Sequence, residues 1–330
     1  MRLDLLEECR DAGRIGISGH VRPDGDCVCA CLALWQYLAK CLPEASVKVF
    51  LEKPADIFRE IKGFGEINSD FPEEPPFDVF FVLDSTAERI GGAGKYFETA
   101  GKTINIDHHV SNRGSAQINY IMPQVGSTSE LVYDLLDPEM LDRELAKTLY
   151  TGIIHDTGVF QYSCTTPATM EKGARLISYG FDFHRLILET FYQRTYVQAQ
   201  ILGRALMESI RFMDGRCIVS AVDSRTMEFY NVEPKDLDGI VNQLRNIAGV
   251  ECAIFMHQTG GQEYKVSLRS SEKVNVAEVA SYFGGGGHER AAGCTMTGTF
   301  HDCVNNLSLH IEKSIKKWES ENDKRNHCSS

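Results

Sequence analysis

Residues 102–112 read KTINIDHHVSN. Thr103 to Ile106 read as the end of a buried strand. Asp107, His108 and His109 then follow in a row. Charge is costly to bury unless it is paired or ligates an ion, so three ionisable side chains at an apolar strand tip need a reason. The flanking sequence shows that the arrangement recurs. RIGISGH (14–20), SVKVFL (46–51) and FDVFFVLD (77–84) are further strand signals. CVCACLALWQYLAKCL (27–42), TSELVYDLL (128–136) and DRELAKTLYTGIIH (142–155) have helical periodicity. Strands alternating with helices predict an α/β domain whose parallel sheet is covered by helices on both faces. Ligands of such sheets bind beyond the carboxyl ends of the strands.

The chain has 330 residues, room for two domains. Residues 1–190 are expected to form the parallel-sheet domain, 191–210 a linker helix, and 211–320 a smaller α/β domain. RCIVSAVD (216–223), ECAIFMHQ (251–258) and EYKVSLRS (263–270) read as its strands. NVAEVASYF (275–283) reads as a helix capped by Asn275, with Glu278 at capping-box spacing. The GGGGHERAAG run follows. A charged tail, 321–330, is expected to fray, beginning near Lys316.

Thirty-four Lys and Arg against 46 Asp and Glu give a net charge of −12, which argues against a long-duplex binder. Eleven cysteines, an odd count with no C-x-x-C pair, point to reduced thiols and a cytoplasmic protein. No apolar run is long enough to span a membrane, and MRLDLLEECRDAGR lacks the apolar core of a secretory signal.

The strand tips carry the chemistry. His20 ends the first strand, and Asp24 and Asp26 follow in HVRPDGD. Asp84 ends another strand, Asp107-His108-His109 the next, and Asp156 lies in IIHDTG. In a parallel sheet these five carboxylates and three imidazoles share one edge. Without cations they would repel one another strongly. Mixed carboxylate and imidazole ligation suits manganese, iron or magnesium better than a structural zinc. The donors suffice for two ions with one bridging carboxylate, an arrangement that clamps phosphoryl groups. Taken singly, His20 reads as a hydrogen-bonded histidine, Asp-Gly-Asp as a turn and GGGG as a flexible loop. Independent turns, however, need not place acids and histidines on successive strand ends.

H-x-x-x-D-x-D, a strand-terminal Asp, D-H-H and a later D-T-G, in that order, resemble the DHH phosphoesterase family. KVSLRS and GGGGHERAAG resemble the DHH-associated substrate-binding domain. The resemblance spans about residues 10–300. It implies that His20, Asp24 and Asp84 hold one divalent ion and that Asp26, Asp84, His108 and Asp156 hold the other, with Asp84 bridging. Manganese is the expected ion. It further implies that His109 faces the substrate phosphate and that Asp107 orients the cluster. Arg269, His288 and the backbone of Gly284, Gly285, Gly286 and Gly287 would hold the far end of the substrate. The activity implied is that of the nano-RNase and pAp-phosphatase branch: hydrolysis of very short RNA to mononucleotides and of 3′-phosphoadenosine 5′-phosphate (pAp) to AMP. A cyclic di-AMP or linear dinucleotide phosphodiesterase is the enzymatic alternative. A non-catalytic nucleotide- or RNA-binding protein is the alternative of another class, and the intact ligand set argues against it. A homodimer is compatible with this reading.

Cys27, Cys29 and Cys31 read as small buried thiols, of which only Cys27 and Cys31 share a helix face. His155 departs from the small or polar residue usual in the family, and Arg113 is read equally as a phosphate contact or a solvated surface charge. Gly126-Ser127 before Thr128 reads as a helix cap.

Overall fold

A single parallel sheet organises the N-terminal half of the computed structural model, which describes residues 3–327 and divides at Gln193 and Arg194 into two units. In chain order the first unit contains α1 (Leu5–Glu8), β1 (Arg14–Ser18), α2 (Gly25–Cys41), β2 (Ser46–Phe50), β3 (Ile67–Asn68), β4 (Val79–Leu83) and α3 (Gly94–Thr99). β5 (Lys102–Asp107), β6 (Ile118–Ile121), α4 (Thr128–Leu135), α5 (Arg143–Asp156), α6 (Pro167–Ile177) and α7 (Phe183–Ile187) complete it. The sheet order is β3-β2-β1-β4-β5-β6, and every neighbouring pair is parallel.

β4 explains why its sequence is an unbroken apolar run. Val79, Phe81 and Leu83 face a core shared with α2, α4 and α5. Phe80 and Val82 face a second core with Phe50, Phe77 and the α3 residue Tyr96. A strand buried on both faces loses the polar alternation of a half-exposed one. Gly16 in the adjoining strand makes room for this packing: a Cβ there would sit 2.3 Å from the Phe80 ring. The parallel sheet with helices on both faces is the architecture the sequence pattern predicts. The two short edge strands, β3 and β6, were not legible in it.

The chain winds outward from β1 to β2 and β3, then returns to β4 on the other side of β1. The tips of β1 and β4 therefore flank the point where the winding reverses, the crevice in which ligands of such folds bind.

The second unit contains α8 (Tyr196–Met207), β7 (Ile210–Phe212), β8 (Cys217–Val222), α9 (Ser224–Tyr230), α10 (Ile240–Arg245), β9 (Cys252–Gly260), β10 (Glu263–Ser270), α11 (Val276–Tyr282), β11 (Gly286–His288), β12 (Ala291–Thr297) and α12 (Phe300–His327). Its sheet order is β11-β12-β10-β9-β8-β7. Only the β8–β9 pair is parallel. One face packs on α11 and α12 through Val276, Val279, Leu307 and Ile311, the other on α8 and α10 through Ile201, Ala205, Ile240 and Leu244.

Two expectations need adjustment. The range read as a linker helix contains α8, whose Ile201 and Ala205 are buried in the second unit. The expected charged tail begins within α12, which runs to His327. Ile315 is buried, Arg216 pairs with Glu319 at 2.8 Å, and Lys273 lies 5.6 Å from the Trp318 ring centroid. Residues 328–330 of the expected tail lie outside the described residues. Among the described residues no helix is long and apolar enough to cross a membrane.

Phe80→Ala should lower the stability of the first unit by about 3–5 kcal/mol, the usual loss for a buried aromatic ring truncated to a methyl group. Urea unfolding monitored by circular dichroism measures it, and a change below about 1 kcal/mol would contradict the two-core packing.

Candidate active site

Four loops leaving strand and helix ends converge at the reversal point. His20 follows β1, and its ring is fixed: Nδ1–H donates to the Val21 carbonyl at 2.9 Å. That leaves Nε2 facing the acids, 3.7 Å from Asp24 Oδ1 and 3.6 Å from Asp84 Oδ2. Asp24 is the N-cap of α2, accepting from the Asp26 and Cys27 amides, so the Asp-Gly-Asp turn read from the sequence is also a helix start.

Asp84 occupies the tip of β4 with φ of +56°, an uncommon conformation for a residue with a Cβ. Strained backbone of this kind concentrates at functional sites. Its carboxylate is 2 % exposed. Oδ1 accepts from the Thr128 hydroxyl at 3.0 Å and lies 3.5 Å from His108 Nε2. His108 repeats the logic of His20. Its Nδ1–H donates to the Val125 carbonyl at 3.2 Å, and Nε2 lies 3.0 Å from Asp156 Oδ2. Nε2 is buried with no hydrogen-bond partner of proper geometry. A buried ring nitrogen aimed at carboxylates, with the other nitrogen held by a backbone carbonyl, is what an imidazole needs to ligate an ion once its proton is displaced.

Asp26 is fully buried. It accepts from the amides of Thr128 at 2.6 Å and Ser129 at 2.9 Å, one on each oxygen, while Ser127 caps the same helix through the Glu130 amide. Asp156 is the last residue of α5 rather than part of the following turn. Three donor groups result: Asp84 with Asp107, His108 and His109; His20 with Cys27 and Asp84; and Asp26 with His108 and Asp156. Each offers atoms within 4.8 Å of one another, so the cluster could hold ions at both ends of Asp84.

The electrostatics favour cations. Burial, with Asp84 and Asp156 nearby, pushes Asp26 well above the usual carboxylate range. Burial also raises Asp156, against the pull of His108. Burial opposes charge on His108, yet Asp156 and Asp84 outweigh it and push its pKa up to about 12. Burial would raise Asp84 as well, but His108 and His20 hold it below the carboxylate range. In this state protons on the imidazoles balance the acids, and divalent ions can replace them with the imidazoles neutral.

The Asp-His-His run has a distinct internal order. Asp107, 1 % exposed, accepts at Oδ1 from the His108 amide at 2.7 Å, the His109 amide at 3.1 Å and His109 Nδ1 at 2.7 Å. Its Oδ2 accepts from Asn112 Nδ2 at 2.6 Å, and Asn112 also donates to Asn105 Oδ1 at 2.8 Å. Asp107 thus shapes the loop, and its bond to His109, against burial, raises the His109 pKa. Asn112, Thr128 and Ser129 were not singled out as site residues in the sequence. Thr128 and Ser129 act on carboxylates far away in the chain, and Asn112 on one five residues before it.

His155 is partly buried and its ring packs on Gly25, between Asp24 and Asp26: a Cβ there would lie 2.2 Å from it. It packs beside Phe58 and Phe191, 5.0 and 5.6 Å between ring centroids, with Nε2 3.2 Å from Thr190 Oγ1. Arg113 is exposed.

In the second unit, Lys265, Ser267 and Arg269 of β10 alternate with buried Val266 and Leu268. Register places Arg269 opposite Ala291, and Ala291 opposite His288. Ser267, Gly293 and Gly286 form the neighbouring row. Cross-strand partners share a sheet face, so Arg269, His288 and Gly286 are brought together. A shallow depression of about 330 Å³ includes Lys265, Ser267, Gly284, Gly285, Gly286 and Thr295 in its lining. Lys265 was not among the expected binding residues, though its period-2 relation to Arg269 could have marked it. The glycine run is half strand, not wholly loop: Gly286 and Gly287 lie in β11.

A doubly wound sheet with a carboxylate–imidazole cluster at its reversal point, followed by a separate mixed-sheet unit, is the architecture of a metal-dependent phosphoesterase. The chain belongs to the DHH family: residues 14–153 match the DHH family N-terminal domain and residues 214–317 the DHHA1 domain. It is 30% identical over 289 residues to the bifunctional oligoribonuclease and PAP phosphatase NrnA of Thermus thermophilus, covering 87% of this chain and 85% of that protein. The Bacillus subtilis protein of the same name is 23% identical, covering 90% and 93%. Among solved structures, an exopolyphosphatase-related protein from Bacteroides fragilis superimposes with a TM-score of 0.86 at 26% identity, covering 95% of this chain and 96% of that one.

Burial lowers the His155 pKa from 6.5 to about 4. Its folded value is depressed, so below pH 6.5 the unfolded chain takes up a proton that the folded chain refuses. Stability should fall between pH 6.5 and 4 by up to about 3 kcal/mol from this residue, and no further below that. The loss between those pH values should be smaller in His155→Gln, as read by urea unfolding at each pH. Identical pH slopes for the two proteins would refute the assignment.

Proposed function

We propose that this protein is a two-ion phosphoesterase that hydrolyses very short RNA to mononucleotides and pAp to AMP and phosphate. The observation that carries the reading is the convergence of six expected ligands at one sheet edge, in a chain 30% identical to a bifunctional oligoribonuclease and PAP phosphatase over most of both lengths. The donor set fits the ions: His20 and His108 both turn Nε2 to the carboxylates with Nδ1 committed to backbone carbonyls. His20, Asp24 and Asp84 would hold one ion, and Asp26, Asp84, His108 and Asp156 the other. Manganese suits imidazole among carboxylates better than magnesium does. Bound there, the ions would neutralise phosphoryl charge and acidify water.

The chain's own residues supply the rest. Asp107 locks His109 through Nδ1 and favours its charged form, leaving Nε2 to meet the phosphoryl or leaving oxygen. Asn112 and Thr128 keep Asp107 and Asp84 from turning. In the second unit Arg269, His288 and the Gly284–Gly287 backbone would bind a terminal phosphate, with Lys265 adding a cation on the same face. A net charge of −12 disfavours long duplexes. Reduced thiols fit a cytoplasmic location.

A substrate panel tests the reading: di- to pentanucleotide RNA, pAp, linear and cyclic dinucleotides, and pyrophosphate. Short RNA and pAp should turn over fastest, faster with Mn²⁺ than Mg²⁺ and not at all in excess chelator. Asp84→Ala should reduce turnover by at least about 100-fold while remaining folded, since its loss touches both ion positions. Near-normal turnover of that variant would refute the bridging role.

Arg269→Ala should raise KM for short RNA and pAp with little change in kcat, while hydrolysis of a small chromogenic phosphodiester stays near wild type. Equal losses on both substrate classes would show that Arg269 supports the fold or the ion centre instead.

A further inference from the structure

A thiol stands behind the His20 end of the centre. Cys27 lies in the first turn of α2. One donor atom each from His20, Cys27 and Asp84 falls within 4.8 Å of the other two. All three residues are buried, at 9%, 0% and 2% exposure. The sulfur is held close to the end of β1: a Cβ on Gly19 would lie 2.3 Å from Cys27 Sγ and 3.4 Å from Cys31 Sγ. Asp24, the carboxylate expected at this end, is 59% exposed at its side chain and spends Oδ1 on the amides of Asp26 and Cys27. The donors gathered most closely here are therefore an imidazole, a carboxylate and a thiol.

We propose that Cys27 makes the His20 end of the centre a site for a softer divalent cation, Zn²⁺ or Cd²⁺, held by His20 Nε2, Cys27 Sγ and the Asp84 carboxylate. The inference rests on the two-ion reading above for the presence of a cation at Asp84, and adds that the thiol sets which cation is preferred. Thiolate ligands select softer cations than carboxylates do. On binding, a sulfur–metal bond forms as the sulfur–hydrogen bond breaks, and the thiol proton leaves to solvent together with the proton that His20 Nε2 gives up to become a ligand. The fixed orientation of the His20 ring, through Nδ1 and Val21, serves either cation. At the other end, the group of Asp26, His108 and Asp156 includes no sulfur, the nearby Cys164 thiol being turned to the Asp156 carbonyl, and it keeps its preference for a harder ion. The two ends of the centre then differ in chemistry, and a mixed pair of ions is the natural loading.

The test uses full-length, chelator-stripped protein titrated with Cd²⁺, following the ultraviolet charge-transfer band of a cadmium–thiolate bond. Wild type and Cys31→Ser should both develop the band with the first equivalent, and Cys27→Ser should lose it, with Cd²⁺ affinity at least about 10-fold weaker. An unchanged band in Cys27→Ser, or its loss in Cys31→Ser, would overturn the assignment. Should Cys27→Ser fail to fold, the cadmium NMR resonance of wild type decides: a shift into the thiolate range supports the site, and one in the range of oxygen and nitrogen ligands overturns it. Mn²⁺ binding, measured in parallel by electron paramagnetic resonance, separates the two readings. Mn²⁺ bound without a Cys27-dependent cadmium band removes the thiol alone. Absence of Mn²⁺ binding to wild type removes the two-ion reading, and the cadmium band then decides the thiol by itself.

Discussion

Asp26 is the residue on which the first unit turns. It is a fully buried carboxylate whose two oxygens accept the Thr128 and Ser129 amides at the start of α4. The N-terminus of a helix is a favourable place for negative charge, because its amides are unpaired and its dipole is positive there. The bond fixes the first turn of α2 against the first turn of α4. It also dictates α5: a Cβ on Gly152 would lie 1.9 Å from Ser129 Oγ and 3.0 Å from Asp26 Oδ1. Only glycine lets α5 pass close enough to deliver Asp156, one turn later, to His108. Thr128, placed by the same contact, gives its hydroxyl to Asp84. Three helices and two strand ends are thus positioned by one carboxylate and one glycine.

The second organising element is Asp107, which turns the chain. Three donations into its Oδ1 wrap the backbone around the carboxylate, so that His108 and His109, adjacent in sequence, perform different tasks. His108 turns toward Asp84 and Asp156. His109 is tied to Asp107. The backbone amides that would be orphaned at a strand end are satisfied by the side chain that ends the strand.

What the sequence revealed, and what it hid, follows from the range of the interactions. Strand tips are local: an apolar run followed by His20, Asp84 or Asp107 is visible within ten residues, and a parallel sheet then gathers the tips. Asn112 lies five residues from Asp107, but its residue type alone does not mark it. Thr128 and Gly152 are invisible on that scale. Their partners are Asp84, and Asp26 with Ser129, met only after the helices have packed. The same holds for α12, whose charged last turns read as a fraying tail. Ile315 and the Arg216–Glu319 pair extend its helical length through contacts with residues a hundred positions earlier. His155 is next to Asp156 in sequence. A helix turns about 100° per residue, so its side chain meets Gly25, Phe58 and Phe191 rather than His108.

The glycine run of the second unit shows how a motif can carry two constraints at once. As a sequence it reads as an anion cradle. In the fold, Gly285 and Gly287 are required by backbone packing, since a Cβ would lie 2.1 Å from the Gly293 carbonyl oxygen in one case and 2.4 Å from that of Ala291 in the other. Those contacts press β11 onto β12. The same hairpin carries His288 into register with Ala291 and so toward Arg269. Gly286 differs: a Cβ there would meet nothing within 4 Å, and the residue lines the depression with Lys265 and Ser267. Packing accounts for two of these glycines, and it leaves Gly286 as the position whose missing side chain keeps the sheet surface open. A side chain at Gly286 would leave the hairpin intact and cover the surface on which the cations stand, which separates the proposed binding role of the motif from its folding role.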